Sequence, residues 1–497
     1  MFTRVTNGVD NATGRSEKGL GGMISGGVTA LQLAALVEHE LLLFAGVFFL
    51  VGALDELAVD AVFGFLRLTG RVQDWTINRD EGERPLSGRA AVFIPAWLEH
   101  EVITDTIATT LKAWPHDALR LYVGCYCNDP RTVEAIIRGT GGDPRVRLVV
   151  HERAGPTTKA DCLNRLYTAM EQDEQRGGYA FRMVVLHDAE DMVDPAGLAL
   201  LDRAIAEAEF VQLPVLPEPQ ARSRWVGSHY CEEFAEAHGK AMVVRDALAA
   251  SLPSAGVGCA FSRTMLARIA EDMDASGPFS VESLTEDYEL GLRIKAAGGR
   301  SRFLRVRGED GRLVATRACF PAQLDQSVRQ KARWVHGIAL QGWDRMGWAS
   351  GAGLGETWMR MRDRRGPLSA LVLFTAYMLL ALGTGLWVAS LAGYDHPFAI
   401  GTTVKWLLAA NFASFIWRAG SRYLFTAREY GPVEGVRAVL RIPLSNIIAI
   451  MAGRRALGAY VGTLRGAAPQ WDKTFHHAHP STMVDRVTPY SRHRALS

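Results

Sequence analysis

The 497-residue sequence contains six cysteines, Cys125, Cys127, Cys162, Cys231, Cys259 and Cys319, and no CxxC pair among them. The usual zinc spacings are therefore missing, no disulfide framework is indicated, and a reducing compartment is the simpler expectation. Residues 1–27 form a polar segment without the basic-then-apolar order of a cleavable signal peptide. No lysine or arginine run is interleaved with aromatics and the net charge is only +2, which excludes nucleic acid as a partner class. Charge is missing altogether from residues 41–54 and 368–394, whereas residues 79–365 are charged throughout. A uniformly soluble fold does not require such a contrast, so a soluble centre between membrane ends is expected.

Residues 368–394 can cross a hydrocarbon core of about 30 Å at about 1.5 Å per residue. Residues 397–417 carry Lys405 as their single charge and form a second expected span, with Lys405 snorkelling or facing protein. Near the N-terminus, apolar stretches 28–37 and 41–54 are interrupted by Glu38, His39 and Glu40, and one span built mainly on 41–54 is expected. Residues 442–453 are too short to span and contain Pro443, which points to an interfacial or re-entrant segment. The division is thus a polar segment 1–27, an N-terminal membrane segment 28–66, a soluble domain 83–348, a C-terminal membrane region 366–461 with two spans plus that segment, and a tail 462–497. Basic residues flank the spans at Arg67 and Arg71, at Arg360, Arg362, Arg364 and Arg365, and at Arg418, Arg422 and Arg428, while the loop 393–403 has none. This bias places the three clusters and the central block in the cytosol; the bland alternative is ordinary solvated charge.

From residue 90 onward, short apolar runs at 90–95, 121–127, 146–150, 183–186 and 210–213 alternate with helical patterns such as 102–113 and 159–170. This is the signature of a largely parallel α/β sheet, whose ligand crevice lies at the carboxyl ends of its strands. The polar residues expected there are Pro95 to Glu99 after the first strand, Asn128 and Asp129 after the second, and His187 to Asp191 after the fourth. Gathered carboxylates beside such a crevice suit a magnesium or manganese ion that neutralises a diphosphate leaving group. A lone Asp129 is as readily a helix cap or turn residue. Asp188 and Glu190, two apart after an apolar strand, can converge on one cation.

The order of Pro95-Ala96-Trp97, Asn128-Asp129, Lys159-Ala160-Asp161-Cys162-Leu163-Asn164, His187-Asp188-Ala189-Glu190-Asp191, Thr285-Glu286-Asp287 and Gln330-Lys331-Ala332-Arg333-Trp334 resembles the inverting family-two glycosyltransferases, which include cellulose, chitin and hyaluronan synthases. Pro253 to Gly258, Gly155 to Asn164, and Trp471-Asp472-Lys473-Thr474 resemble, within them, the phage-adsorption protein B group of bacterial inner-membrane enzymes. The resemblance spans residues 45–476. It implies a GT-A nucleotide-diphospho-sugar transferase domain flanked by transmembrane helices.

It further implies that Pro95, Trp97, Glu99, Asp129, Lys159, Asp161, Asp188 and Glu190 bind the donor. Asp129 would contact the uridine and Lys159 the nucleotide or its phosphates, while Asp188 and Glu190 would hold the metal, a divalent magnesium or manganese ion. Asp287 would be the general base, and Glu286, Gln330, Arg333 and Trp334 would line the acceptor and diphosphate end. Without the motif, Trp334 reads as a core or membrane-interface residue. Two departures stand out: Leu98 where many members have Asn, and Asp-Ala-Glu where Asp-x-Asp is commonest, which could place Asp191 in a supporting position. Of His476, His477 and His479, only His476 fits the family pattern and the others read as a solvated tail rather than zinc ligands. Cys125 and Cys127, two apart on a strand, read as packing residues.

The function implied is inverting transfer from a nucleotide-diphospho-sugar, a UDP-sugar, to a growing glycan at the bacterial inner membrane, for exopolysaccharide or surface glycan. Partners implied are the sugar nucleotide, a glycan or lipid-linked acceptor, the bilayer and envelope export proteins. Larger relatives in the group carry a further C-terminal cytosolic domain, which is not expected after Thr474. Two alternatives remain open: a single addition to a lipid-linked acceptor, and a non-catalytic membrane partner of a glycan assembly system.

Overall fold

The computed structural model describes residues 29–467, apart from 274, 350 and 399, together with residues 479–481. The polar segment 1–27, Trp471 to Thr474, His476 and His477 therefore lie outside the described residues. The described chain divides into two compact units, one of residues 29–51 and 372–412, the other of residues 52–371 with the remainder from 413 onward.

In the first unit, Glu38 and His39 do not break the N-terminal helix, which runs unbroken over Ala30–Leu68. Glu38 Oε2 lies 2.9 Å from His396 Nε2, and the His39 ring stacks on Phe398 at 5.2 Å, so the polar interruption is met by partners after residue 391. Asn411 donates to the Gly46 carbonyl at 2.9 Å. Large apolar side chains such as Val51, Leu380, Trp387 and Trp406 are exposed, as lipid-facing side chains would be.

Three described helices are long and apolar enough to cross a membrane: Ala30–Leu68, Gly366–Leu391 and Ile442–Leu464. The expected span at 397–417 falls on the helix Thr402–Tyr430, which is not among the three and carries Asn411 and Arg418 besides Lys405. Residues 442–453 prove to be only the first half of their helix. Pro443 sits in its first turn, where a missing N–H leaves no helical bond unmade. Ala452 and Ala456 of this helix pack with Ala332.

The described residues of the second unit form eleven strands: β1 (Trp75–Ile77), β2 (Arg89–Pro95), β3 (Leu119–Tyr126), β4 (Val146–His151), β5 (Phe181–Leu186), β6 (Phe210–Gln212), β7 (Val215–Pro217), β8 (Cys259–Ser262), β9 (Ser301–Phe303), β10 (Val306–Gly308) and β11 (Thr316–Ala318). Seven form one sheet in the order β4-β3-β2-β5-β8-β6-β9, parallel except for β8. The short pairs β1 with β10 and β7 with β11 are also parallel.

The central strands β2, β3 and β5 are buried along almost their whole length because both faces are covered. On β2, Ala91 and Phe93 point to a core shared with Leu163, Leu166 and Met170 of the helix Lys159–Gly177. Ala90, Val92 and Ile94 point to the opposite core, with Ile103 and Ile107 of the helix Ile103–Ala113 and Leu198 and Leu201 of the helix Gly197–Ala204. Alternation by two on a pleated strand makes this two-sided burial possible. Because β2, β3 and β5 run parallel, the loops after them reach one edge. Since β8 runs the other way, the loop before it, residues 253–258, arrives at that same edge.

The arginines used for orientation are not freely solvated. Arg362 and Arg365 each pair with Asp55 and Glu56, Arg360 with Glu356 at 2.6 Å, and Arg422 with Glu232 at 3.2 Å.

Candidate active site

At the carboxyl edge of the sheet opens a cavity of about 410 Å³. It gathers Pro95, Trp97, Glu99, Lys159, Asp188, Glu190, Glu286, Asp287, Gln330, Arg333 and Trp334, eleven of the thirteen residues assigned to the site from sequence. They come from five separate stretches of chain, each delivered by local structure.

Lys159 opens the helix Lys159–Gly177, whose N-cap Thr158 accepts the Asp161 N–H through its hydroxyl. Its Nζ lies 2.5 Å from Asp188 Oδ1. Burial would lower the lysine, but Asp188, Glu286 and Asp287 outweigh burial and hold the ammonium charged well above its usual range. Asp188 follows β5 in a loop set by its neighbour Asp191, which is buried. Asp191 Oδ2 accepts the Asp188 N–H at 2.9 Å and lies 3.0 Å from His187 Nδ1. Asp191 therefore shapes the turn that presents Asp188 and Glu190.

Glu286 and Asp287 begin the helix Glu286–Ala296. Burial, then the neighbouring Asp287 charge, pushes Glu286 up to about 7. Burial also raises Asp287 above its ordinary value, with Lys159 opposing. On the helix Leu324–Trp334, Gln330, Arg333 and Trp334 stand three and four residues apart and so share one face, while Ser327, Val328 and Ala332 are buried. The Trp334 ring meets Tyr230, Phe234 and Phe320 edge-on at 6.1 to 6.4 Å between centroids. It is part of an aromatic wall, not an isolated core tryptophan.

Asp129 and Asp161 do not line the cavity. Asp129 is the N-cap of the helix Pro130–Thr140, accepting from Thr132 N at 3.3 Å, and its other oxygen accepts the Leu98 N–H at 2.6 Å. It holds Leu98 at φ 55°, a left-handed conformation in the turn that carries Trp97 and Glu99. Asp161 lies 3.2 Å from His151 Nε2 and 3.8 Å from Arg153. Both act on residues beside the cavity. Cys125 is buried as expected, but Cys127 is exposed because β3 ends one residue before it.

Sequence reasoning missed several lining residues: Glu233, Phe234, His238, Cys319, Phe320 and Asp363. His238 belongs to the π-helical segment Ala237–Ala241, and Ile338 to a second, Val335–Gln341, a local geometry common at functional sites. Asp363 stands inside the arginine cluster used above for orientation alone. It receives two bonds from Arg245, at 2.7 and 2.8 Å, and one from the Tyr288 hydroxyl at 3.0 Å. A carboxylate amid arginines was the available signal.

Asp188 and Glu190 offer hard oxygen donors, and Asp188 already receives one cationic group from Lys159, so the pair fits a divalent ion. No group of three or more metal-ligating side chains occurs among the described residues. Such an ion would therefore need diphosphate oxygens or water to complete its coordination.

Gly256 explains part of the 253–258 motif. Its φ is +73°, and a Cβ there would lie 2.3 Å from Asp287 Oδ2. Relief of that overlap requires Asp287 to move by roughly 1 Å, a displacement that can cost about 10²-fold in rate at a reacting group. Gly256→Ala is accordingly expected to slow turnover about a hundredfold, with nucleotide binding kept. Gly311, with φ +76° and open space around it, provides the control for backbone strain alone. A Gly256→Ala protein that turns over like Gly311→Ala would show that Asp287 does not stand at the reacting position.

A family model described as glycosyltransferase like family 2 matches residues 88–337, the block that contains this sheet and most of the residues lining the cavity. The bacteriophage adsorption protein B of Escherichia coli strain K12 is 33% identical over 457 residues, covering 86% of this chain and 60% of that protein. Bacteriophage N4 adsorption protein B of Escherichia coli O157:H7 matches to the same extent. The chain thus spans about 60% of the length of these curated relatives. Among solved structures, a mannosyltransferase from Pyrobaculum calidifontis in complex with GDP-Man and Mn2+ superimposes with a TM-score of 0.48 at 16% identity, covering 84% of this chain and 99% of that one. The chain belongs to glycosyltransferase family 2, and its mixed α/β domain is of the GT-A kind.

Proposed function

We propose that the protein transfers a sugar, with inversion, from a nucleotide-diphospho-sugar of the UDP class to a growing glycan at the cytosolic face of a bacterial inner membrane, in the synthesis of an exopolysaccharide or surface glycan. The observation that carries this reading is the convergence of Lys159, Asp188, Glu190, Asp287 and Arg333 on one cavity. A non-catalytic partner of a glycan assembly system would have no chemical need for that set.

In this mechanism, Trp97 and Glu99 meet the donor, and Lys159 and Arg333 offer positive charge to its diphosphate. The Asp287 carboxylate takes the proton of the acceptor hydroxyl. The hydroxyl oxygen bonds to the anomeric carbon from the face opposite the leaving group, as the bond from that carbon to the diphosphate oxygen breaks. The nucleoside diphosphate leaves with that electron pair, and no covalent sugar intermediate forms. A divalent cation, when bound at Asp188 and Glu190, supplies charge neutralisation to the departing diphosphate. The aromatic wall of Trp334, Phe234 and Phe320 gives a sugar ring a flat apolar face to rest on.

The deciding experiment incubates the purified, membrane-inserted protein with a panel of nucleotide sugars and records nucleoside diphosphate release and product length. Long products support elongation of a glycan, a single addition indicates a lipid-linked acceptor, and no release with any donor rejects the enzyme reading.

Orientation is checked separately. The arginine clusters at Arg71, Arg364 and Arg422 favour a cytosolic domain. A reporter fused near Gly393 is expected outside the cytosol, and a cysteine placed at Arg84 is expected to resist membrane-impermeant reagents in intact cells. Labelling at position 84 would overturn this topology.

A further inference from the structure

His479 was expected to lie in a solvated tail, yet it is only 1% exposed. Its Nε2 lies 3.1 Å from the carbonyl oxygen of Asp191, 288 positions earlier in the chain. The Ser481 N–H donates to Nδ1 at 3.2 Å, and the Ser481 hydroxyl lies 2.6 Å from the same nitrogen. With Nδ1 accepting, the neutral imidazole carries its proton on Nε2, so that nitrogen is the donor to Asp191.

The acceptor matters because of what else holds the loop 187–191. The Asp188 carbonyl accepts from the Asp191 N–H at 3.3 Å, and the Ala189 carbonyl accepts from the Thr106 hydroxyl at 2.5 Å. The Asp191 carboxylate meets His187 and the Asp188 N–H. The Asp191 carbonyl is held by the tail histidine.

We infer that His479 is a positioning residue, a donor from the C-terminal segment that fixes Asp191 and through it the turn presenting Asp188 and Glu190 to the nucleotide diphosphate and its cation. This rests on the donor-site assignment made under the proposed function. Losing a direct partner of a metal ligand commonly changes affinity by about 10- to 100-fold, and His479 acts one step further out, through Asp191, so the lower end of that range is expected.

The test uses the full-length protein in detergent or nanodiscs, with Mn2+ and uridine diphosphate as probes and free Mn2+ followed by electron paramagnetic resonance. His479→Leu fills a similar volume without a donor, and His479→Gln restores an N–H near the Nε2 position. The leucine protein is expected to melt like the parent and to bind Mn2+ with uridine diphosphate about 10-fold more weakly, while the glutamine protein returns to within about twofold of the parent. Parental affinity in the leucine protein overturns the inference. So does equal weakness in both variants, or loss of the fold with leucine, since each indicates packing rather than a directed hydrogen bond. A parent that binds neither probe instead removes the donor-site assignment, and this inference with it.

Discussion

Asp287→Asn is expected to lower sugar transfer by about 10² to 10⁴ while leaving nucleotide binding near the parental level, the usual cost of losing general-base assistance. The substitution isolates chemistry from structure. Asp287 sits in the first turn of the helix Glu286–Ala296, where a carboxylate contributes about 0.3 to 1 kcal/mol through the helix dipole. Its Oδ1 accepts the Tyr288 N–H at 2.7 Å, a bond an asparagine oxygen makes equally well. The amide nitrogen takes the place of Oδ2 beside Gly256 with no added volume. The variant should thus fold and hold donor, lacking only the ability to accept a proton from the acceptor hydroxyl.

The pH profile supplies a second readout. A base works only when deprotonated, so activity falls as pH drops through its folded-state pKa. Burial raises Asp287 above the ordinary value of 3.8, which moves the acid limb of kcat/KM upward in the same direction. That limb should be missing from the residual activity of the asparagine protein. Near-parental transfer would remove Asp287 from the mechanism, and loss of both binding and transfer would assign it a structural role.

Much of the site was legible because strand ends and helix faces obey short-range rules. Apolar runs located β2 to β6, and the polar residues after β2 and β5 then fell at one edge. Gln330, Arg333 and Trp334, like Lys159, Glu286 and Asp287, came instead from the motif order that resembles family two, and the helix Leu324–Trp334 then puts the first three on one face. What the sequence did not disclose depends on partners far along the chain or on very short elements. β8 has four residues, too few for a periodic signal, yet its reversed direction brings Gly256 to Asp287. Asp129 could be a ligand or a cap from sequence alone, and the Leu98 N–H settles its hydrogen bonding. His479 looked solvated because nothing nearby marks it, and its partner is in another loop. Pro443 was misleading because proline breaks a helix interior but not a first turn.

Removing divalent ions with excess chelator is expected to abolish transfer, with activity restored by Mn2+ or Mg2+. The reasoning is electrostatic. Asp188, Glu190, Glu286 and Asp287 are among the carboxylates that line the cavity with the cations Lys159 and Arg333, and the donor adds a diphosphate. Two unit charges of like sign about 4 Å apart repel by about 4 kcal/mol at an effective dielectric constant near 20. One such unrelieved contact in the transition state corresponds to roughly a thousandfold in rate. Lys159 is the competing explanation, since its ammonium already sits on Asp188 at 2.5 Å and could neutralise the leaving group unaided. The two accounts separate on Asp188→Asn. If a cation is held there, the variant needs much more Mn2+ for half-maximal nucleotide binding than the parent. If Lys159 suffices, the variant binds nucleotide independently of Mn2+, and the parent turns over undiminished in excess chelator, an outcome that would exclude the metal role.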